Sequence, residues 1–237
     1  MIPSLVAAVG LSAMALGLLV LRSLGASYRV GRLLAVTPKV TVEEALVLAT
    51  EARPPYVRID GRVDAEDEFE DADHRPLVLR RTRVEVQRGR AWTIVEDGRE
   101  AIPFEIREGL SGIAVDASAL GPGLVVVPRE SRGVAADLPD RVPSELPPGT
   151  PVRIAIEQLS SVDHATVLGV PVPGAAGKPW MTSGRGRPLI LTNLETAEAM
   201  RILVGDRRMV PVAAAAWLGS GLVLLAISVG LAVAGVR

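Results

Sequence analysis

The chain contains no cysteine. Disulfides, zinc ribbons, iron-sulfur clusters and thiolate nucleophiles are therefore excluded by chemistry, whichever side of a membrane the protein occupies. Histidine is scarce as well, with only His74 and His164 available for imidazole chemistry. Aromatic residues make up 3% of the chain, so Trp92 and Phe104 are expected to serve core packing before any ligand platform. Charge of one sign is also missing, because 26 Lys and Arg stand against 27 Asp and Glu. With no basic field, nucleic acid is not an expected partner.

What the chain does have is an uncharged run at each end. All acidic residues, and all basic residues except Arg237, fall between Arg22 and Arg208. Residues 210–236 (VPVAAAAWLGSGLVLLAISVGLAVAGV) exceed the roughly 30 Å of a bilayer's hydrocarbon core and predict a transmembrane helix. Residues 2–21 (IPSLVAAVGLSAMALGLLVL) predict a second. No Lys or Arg precedes this first run, as a secretory signal would require, so it reads as a retained anchor. The small residues Ser23, Gly25 and Ala26 are the argument for cleavage instead. Pro3 suits a first helical turn, and Arg22 with Tyr28 is expected to mark the lipid boundary.

Arg22, Arg29, Arg32 and Lys39 follow the first run and Arg201, Arg207 and Arg208 precede the second, which places the middle of the chain on the cytoplasmic side of a cell membrane. Ser4, Ala8 and Ser12, and likewise Ala226, Gly230 and Ala234, are small residues at four-residue spacing. Such stripes offer a face for helix packing, as a hairpin or as a homo-oligomer.

Between the runs the periodicity changes twice. Residues 22–55 form a connector holding an amphipathic helix from Thr41 to Ala52, opened by a Thr41/Glu44 capping box and ended by Pro54 and Pro55. From Tyr56 to Val63, Val57, Ile59, Gly61 and Val63 alternate with Arg58, Asp60 and Arg62, which predicts a half-buried strand. Further strands are expected over 76–86, 91–95, 102–107, 113–116, 124–128, 152–158, 165–172 and 188–191, with Asp97-Gly98 as a hairpin turn. Proline-rich residues 129–151 read as a solvated loop. Thr192 and Glu195 predict a capping box opening a helix from Asn193 to Val204.

The run PYVRIDGRVDAEDEF, the stretch RRTRVEVQRGRAWTIVEDGREAIPFEIREGLSGIAVD and the run LILTNLETAEAMRIL resemble, in that order, the GIDE or beside-a-membrane (BAM) domain of mitochondrial E3 ubiquitin ligases and their prokaryotic relatives. The likeness runs from Tyr56 to the C-terminus and rests on Gly61, Val63, Trp92, Phe104, Gly112, Val115 and Asp116. It implies a substrate- or partner-engaging module. Ligase activity, which in the family belongs to a zinc-binding RING, is not implied for a chain without cysteine.

Candidate catalytic and binding residues are few. Asp163-His164 with Ser160 or Ser161 has the residue types of a hydrolase but lacks the strand-turn-helix elbow that presents a nucleophile. Asp64, Glu66, Asp67, Glu68, Glu70, Asp71 and Asp73 lack the ligand spacing of a calcium loop and read as a solvated acidic segment. Gly184-Arg185-Gly186-Arg187 does not form a nucleotide loop, and Arg81 and Arg83 share one strand face.

These observations predict a membrane-anchored α+β protein, with two transmembrane helices flanking a β-rich domain over 56–208 that is an antiparallel sheet or barrel, with short amphipathic helices. Its expected role is non-catalytic binding or scaffolding beside the bilayer, with a membrane-proximal protein as partner and with no catalytic, metal or cofactor residues. A membrane-anchored hydrolase using Asp163 and His164, or an accessory subunit of a protease, transport or ligase-like assembly, is the competing expectation.

Overall fold

The computed structural model describes residues 2–89, 91–121, 123–174, 177–205 and 209–234. The side chains of Arg22 and Tyr28, and residues Arg207, Arg208 and Arg237, on which the boundary and orientation expectations lean, lie outside that description. In chain order the elements are α1 (Ile2–Val36), α2 (Val42–Leu48), β1 (Val57–Asp64), β2 (Phe69–Glu70), β3 (Pro76–Arg88), β4 (Ala91–Ala101), β5 (Glu105–Glu108), β6 (Ser111–Val115), β7 (Leu124–Val125), β8 (Arg129–Val134), β9 (Pro151–Ser160), β10 (His164–Pro173), β11 (Pro179–Thr182), β12 (Ile190–Thr192), α3 (Thr196–Gly205) and α4 (Met209–Ala234). They fall into two units, one of residues 1–35 and 200–237 and one of residues 36–199.

In the first unit the expectation of two flanking transmembrane helices is overturned. One described helix is long and apolar enough to cross a membrane, over Val212–Gly230, while the apolar part of α1 is the shorter stretch Ser4–Val20. That stretch rises about 26 Å, short of a roughly 30 Å hydrocarbon core, and α1 continues without a break past Arg22, Arg29 and Arg32. The two helices meet through glycines outside the predicted stripes. A Cβ on Gly10 would sit 3.1 Å from the Gly221 carbonyl oxygen, and one on Gly17 would sit 2.8 Å from Leu218, whereas Gly230 has nothing within 4 Å. Ser12 turns back onto its own helix and donates to the Ala8 carbonyl at 2.9 Å.

In the second unit five strands close into a ring, β1-β5-β6-β11-β10, because β10 pairs with both β11 and β1. The order β10-β1-β5-β6 is the 4-1-2-3 of a Greek key, and β11, parallel to β6, completes a small barrel of the OB kind. Strand β12 pairs with β10 beyond the end of β11 and carries β7. The predicted alternation of β1 holds: Val57, Ile59, Gly61 and Val63 face inward, against a core that includes Phe104, Ile106, Ile113, Val167 and Met181. Helix α2 lays Val42 and Ala45 on that core. Its capping box is formed, with Thr41 N donating to Glu44 at 2.8 Å and Glu44 N to Thr41 at 3.1 Å.

A second, open sheet is inserted between barrel strands. Here β9 lies between β3 and β8, and β4 lies on the far side of β3. Several local expectations fail, all but the last of them in this sheet. Asp97-Gly98 lies within the continuous strand β4, and the chain reverses instead just after β3, where Gly89 adopts φ 64°. Trp92 is no core residue but 37% exposed, with Arg153 stacked 5.0 Å from its ring. The predicted loop 129–151 begins with a true strand, β8. Thr192 belongs to β12 and accepts from Leu194 N at 3.1 Å, so α3 starts only at Thr196.

Candidate functional site

Strand β3 belongs to two apolar clusters. Val78 and Leu79 join the barrel core, while Val84 and Val86 pack with Val152, Ala135, Leu138, Val142 and Leu146, the last five from β9 and the segment after β8. Between these clusters lies the charged stretch Arg80-Arg81-Thr82-Arg83, and apolar cover stops there. The result is a groove of about 560 Å³ floored by Thr82, Ile156 and Gln158, which share one face of the sheet. A recess of about 330 Å³ continues it through Arg129, Ile156 and Gln158 toward Asp163 and Asn193.

Opposite charges line the groove, and they are matched in place. Arg141 makes a two-pronged contact with Glu96 at 2.9 Å on each prong, and Arg80 reaches Glu100 at 2.5 Å. Arg129 pairs with Asp73 at 3.1 Å, and Arg75 pairs with Asp71. Hydrogen bonds from Arg141 hold the Glu96 carboxyl below its ordinary range. Asp71 is lowered to about 2, first by the backbone N–H of Arg75, and then by the Arg75 side chain and the backbone of Asp73. Gln158 joins the two ends, accepting from Arg75 at 3.3 Å and donating to Asp71 at 3.5 Å. The wall is thus neutral in sum but dense in donors and acceptors.

The other face of the same sheet is a ladder of ion pairs. Arg81 bonds Asp97 through two contacts at 2.8 and 2.7 Å, Arg83 reaches Glu157 at 2.8 Å, and Arg153 pairs with Glu85. Arg81 and Arg83 do share a face as expected, and each has a carboxylate partner.

The residue types of a hydrolase are not assembled into one. Asp163 accepts from Ser160 N at 3.1 Å and from Asn193 at 3.0 Å, so its carboxylate closes the turn between β9 and β10. Ser160 spends its hydroxyl on the Pro76 carbonyl at 2.6 Å, and the Ser161 hydroxyl is buried without a partner. His164 opens β10 opposite Arg62. His74 lies 2.6 Å from Glu70 on an exposed loop. Among the described residues no group of three or more His, Asp or Glu is placed to hold a metal. The acidic segment is used locally, with Asp64 on Arg107 at 3.1 Å and Asp71 and Asp73 on arginines. Gly184 to Arg187 is a tight turn with Arg185 and Gly186 at φ 55° and 70°. Arg185 donates to the Arg53 carbonyl at 2.8 Å, and Arg187 stacks on Tyr56 at 5.2 Å.

The groove is not legible in the sequence. The alternating charges of β3 and the Glu-Gln pair of β9 were visible, but their pairing register was not. Arg141 comes from the proline-rich segment, where nothing in the sequence ties it to Glu96. No protein-family profile matches the chain, and neither the curated proteins nor the solved structures contain a match.

Proposed function

We propose that the chain is a membrane-tethered binding or scaffolding module that receives a polar, extended polypeptide segment in the groove on its open sheet. The observation that carries this reading is the groove's lining. It offers charges of both signs, each held by a neighbour, around Thr82, Ile156 and Gln158, and so suits a ligand with alternating donors and acceptors. The engagement of Ser160 and Asp163 in backbone contacts weighs against the hydrolase alternative. The resemblance to GIDE or BAM domains belongs to the same proposal, since that likeness implies a partner-engaging role.

Helix α4, long and apolar enough to cross a bilayer over Val212–Gly230, supports the tether. Arg201, Arg207 and Arg208 ahead of it favour a cytoplasmic position for the β-rich unit. A reporter fused after Arg237 tests this and is expected to behave as extracytoplasmic.

The binding reading is tested with a photo-crosslinking residue placed at Thr82 in the full chain within intact membranes. A discrete adduct that disappears with Arg141→Glu, and is absent when the same residue replaces Leu110, supports the groove. Equal labelling from both positions, or no change with Arg141→Glu, rejects it.

A further inference from the structure

Strand β8 ends the open sheet, and among the described residues its one neighbour is β9. We infer that this edge pairs with β8 of a second copy of the chain, antiparallel about a two-fold axis at Ser131, to make one sheet across two protomers.

Three features of the edge lead to that partner and that register. The first is the direction of its backbone groups. Ala135 N donates to the Thr150 carbonyl at 2.9 Å, so Ala135 faces β9, and by the alternation of an antiparallel ladder Gly133, Ser131 and Arg129 face it too. Glu130, Arg132 and Val134 therefore turn their N–H and C=O groups to the open side. Val134 agrees, since its N–H is taken by the Asp137 carboxylate at 3.0 Å.

The second is charge. Glu130 and Arg132 are exposed and have no ion pair among the described residues, while Arg80, Arg81, Arg83, Arg129, Arg141 and Arg153 each have a carboxylate. Within its own copy Arg132 stands opposite Arg153, a like charge. An antiparallel copy centred on Ser131 sets Glu130 opposite Arg132 of the second copy, and Arg132 opposite its Glu130. Both pairs fall on the residues whose backbone groups are free to bond.

The third is where the pairing stops. In this register Val134, whose N–H is already occupied, faces Pro128 of the second copy, which has no N–H to give. Blocked positions thus meet blocked positions at both ends. The opposite edge does not share these properties, because β4 carries a bulge at Val95 and has Glu96, Asp97 and Glu100 against Arg99 alone. A six-residue contact of this kind is weak between free copies, and holding copies in one bilayer raises their effective concentration.

The cysteine-free chain gives a clean test. Ser131→Cys is introduced into the full chain in native membranes, the membranes are oxidised, and disulfide-linked dimer is measured. Opposed residues of a non-hydrogen-bonded pair lie about 4.5 Å apart at Cα, within disulfide reach. A linked homodimer is expected, falling at least fivefold with Glu130→Arg or Arg132→Glu and recovering when both reversals are combined. Arg129→Cys, which faces Gly133 of the second copy, is expected to give little dimer. Absence of dimer from Ser131→Cys, equal yield from Arg129→Cys, or no rescue by the double reversal each overturns the proposal.

Discussion

Gly61 on β1 and Arg107 on β5 approach so closely that a methyl group on Gly61 would lie 2.5 Å from the Arg107 carbonyl oxygen and 2.8 Å from Ile106. The obstacle is backbone, which cannot swing aside as a flexible side chain can. Gly61→Ala is therefore expected to cost about 1–3 kcal/mol or more through overpacking of the barrel, read as a lower midpoint in denaturant with the slope unchanged. A midpoint equal to that of the parent protein would show that β1 and β5 are not in this register.

Tyr56 is buried and donates its hydroxyl to the Pro188 carbonyl at 2.7 Å. Burial pushes the phenol far above its ordinary range, and the nearby Arg187 offsets this only in part. Tyr56→Phe leaves a carbonyl unpaired, so a loss of about 1 kcal/mol is expected in equilibrium unfolding.

Asp71 connects stability to acid. Its folded value of about 2 lies below the ordinary 3.8, so the charged form favours the folded state. The contribution is complete above the unfolded value near 3.8 and is lost as pH falls through about 2. Asp60 acts in the same sense: burial opposes its ionisation, but hydrogen bonds from Arg58, Thr166 and Lys39 overcome that and lower its carboxyl. Replacing Asp71 with Asn is expected to flatten the fall in stability between about pH 4 and pH 2, measured by denaturant midpoints across that window. A slope identical to the parent's would remove Asp71 from the account.

Gly221 on α4 has Met14 of α1 within 2.6 Å of where a Cβ would stand and the Gly10 carbonyl oxygen within 2.9 Å. Gly221→Leu is expected to separate the two helices, seen as lost resistance to unfolding in detergent. Gly230→Leu, where the surroundings are open, is expected to leave that resistance unchanged.

Four of the barrel strands, β1, β5, β6 and β10, are legible in the sequence because strands with one buried face write their pattern at period two, whereas the short β11, parallel to β6, is not among the expected strands. Val57, Ile59, Gly61 and Val63 are the plain case, and the Thr41/Glu44 box announced α2 in the same direct way. The open sheet was harder to read. Residues on both of its faces are charged, so β8 (RESRGV) carried no alternation and vanished into the proline-rich loop. Asp97-Gly98 looked like a turn by composition, yet the ladder with Thr82 and Arg83 holds it extended. The N-terminal apolar run reads as a second crossing when its length is counted from Ile2 through Leu21. The described helix is apolar over Ser4–Val20 and then runs on through arginines. The groove depended on pairings between distant strands, and residue types alone do not state those.

Closure of the barrel also has an order in time. Val57 of β1 pairs with Gly169 of β10, so during synthesis the first barrel strand must wait for nearly the whole β-rich unit to leave the ribosome before one of its edges is covered. A nascent chain halted before β10 should expose that strand to chaperones, and one halted after β11 should not. The apolar helix α4 emerges soon afterwards, so the β-rich unit has little time to close before that helix too is exposed.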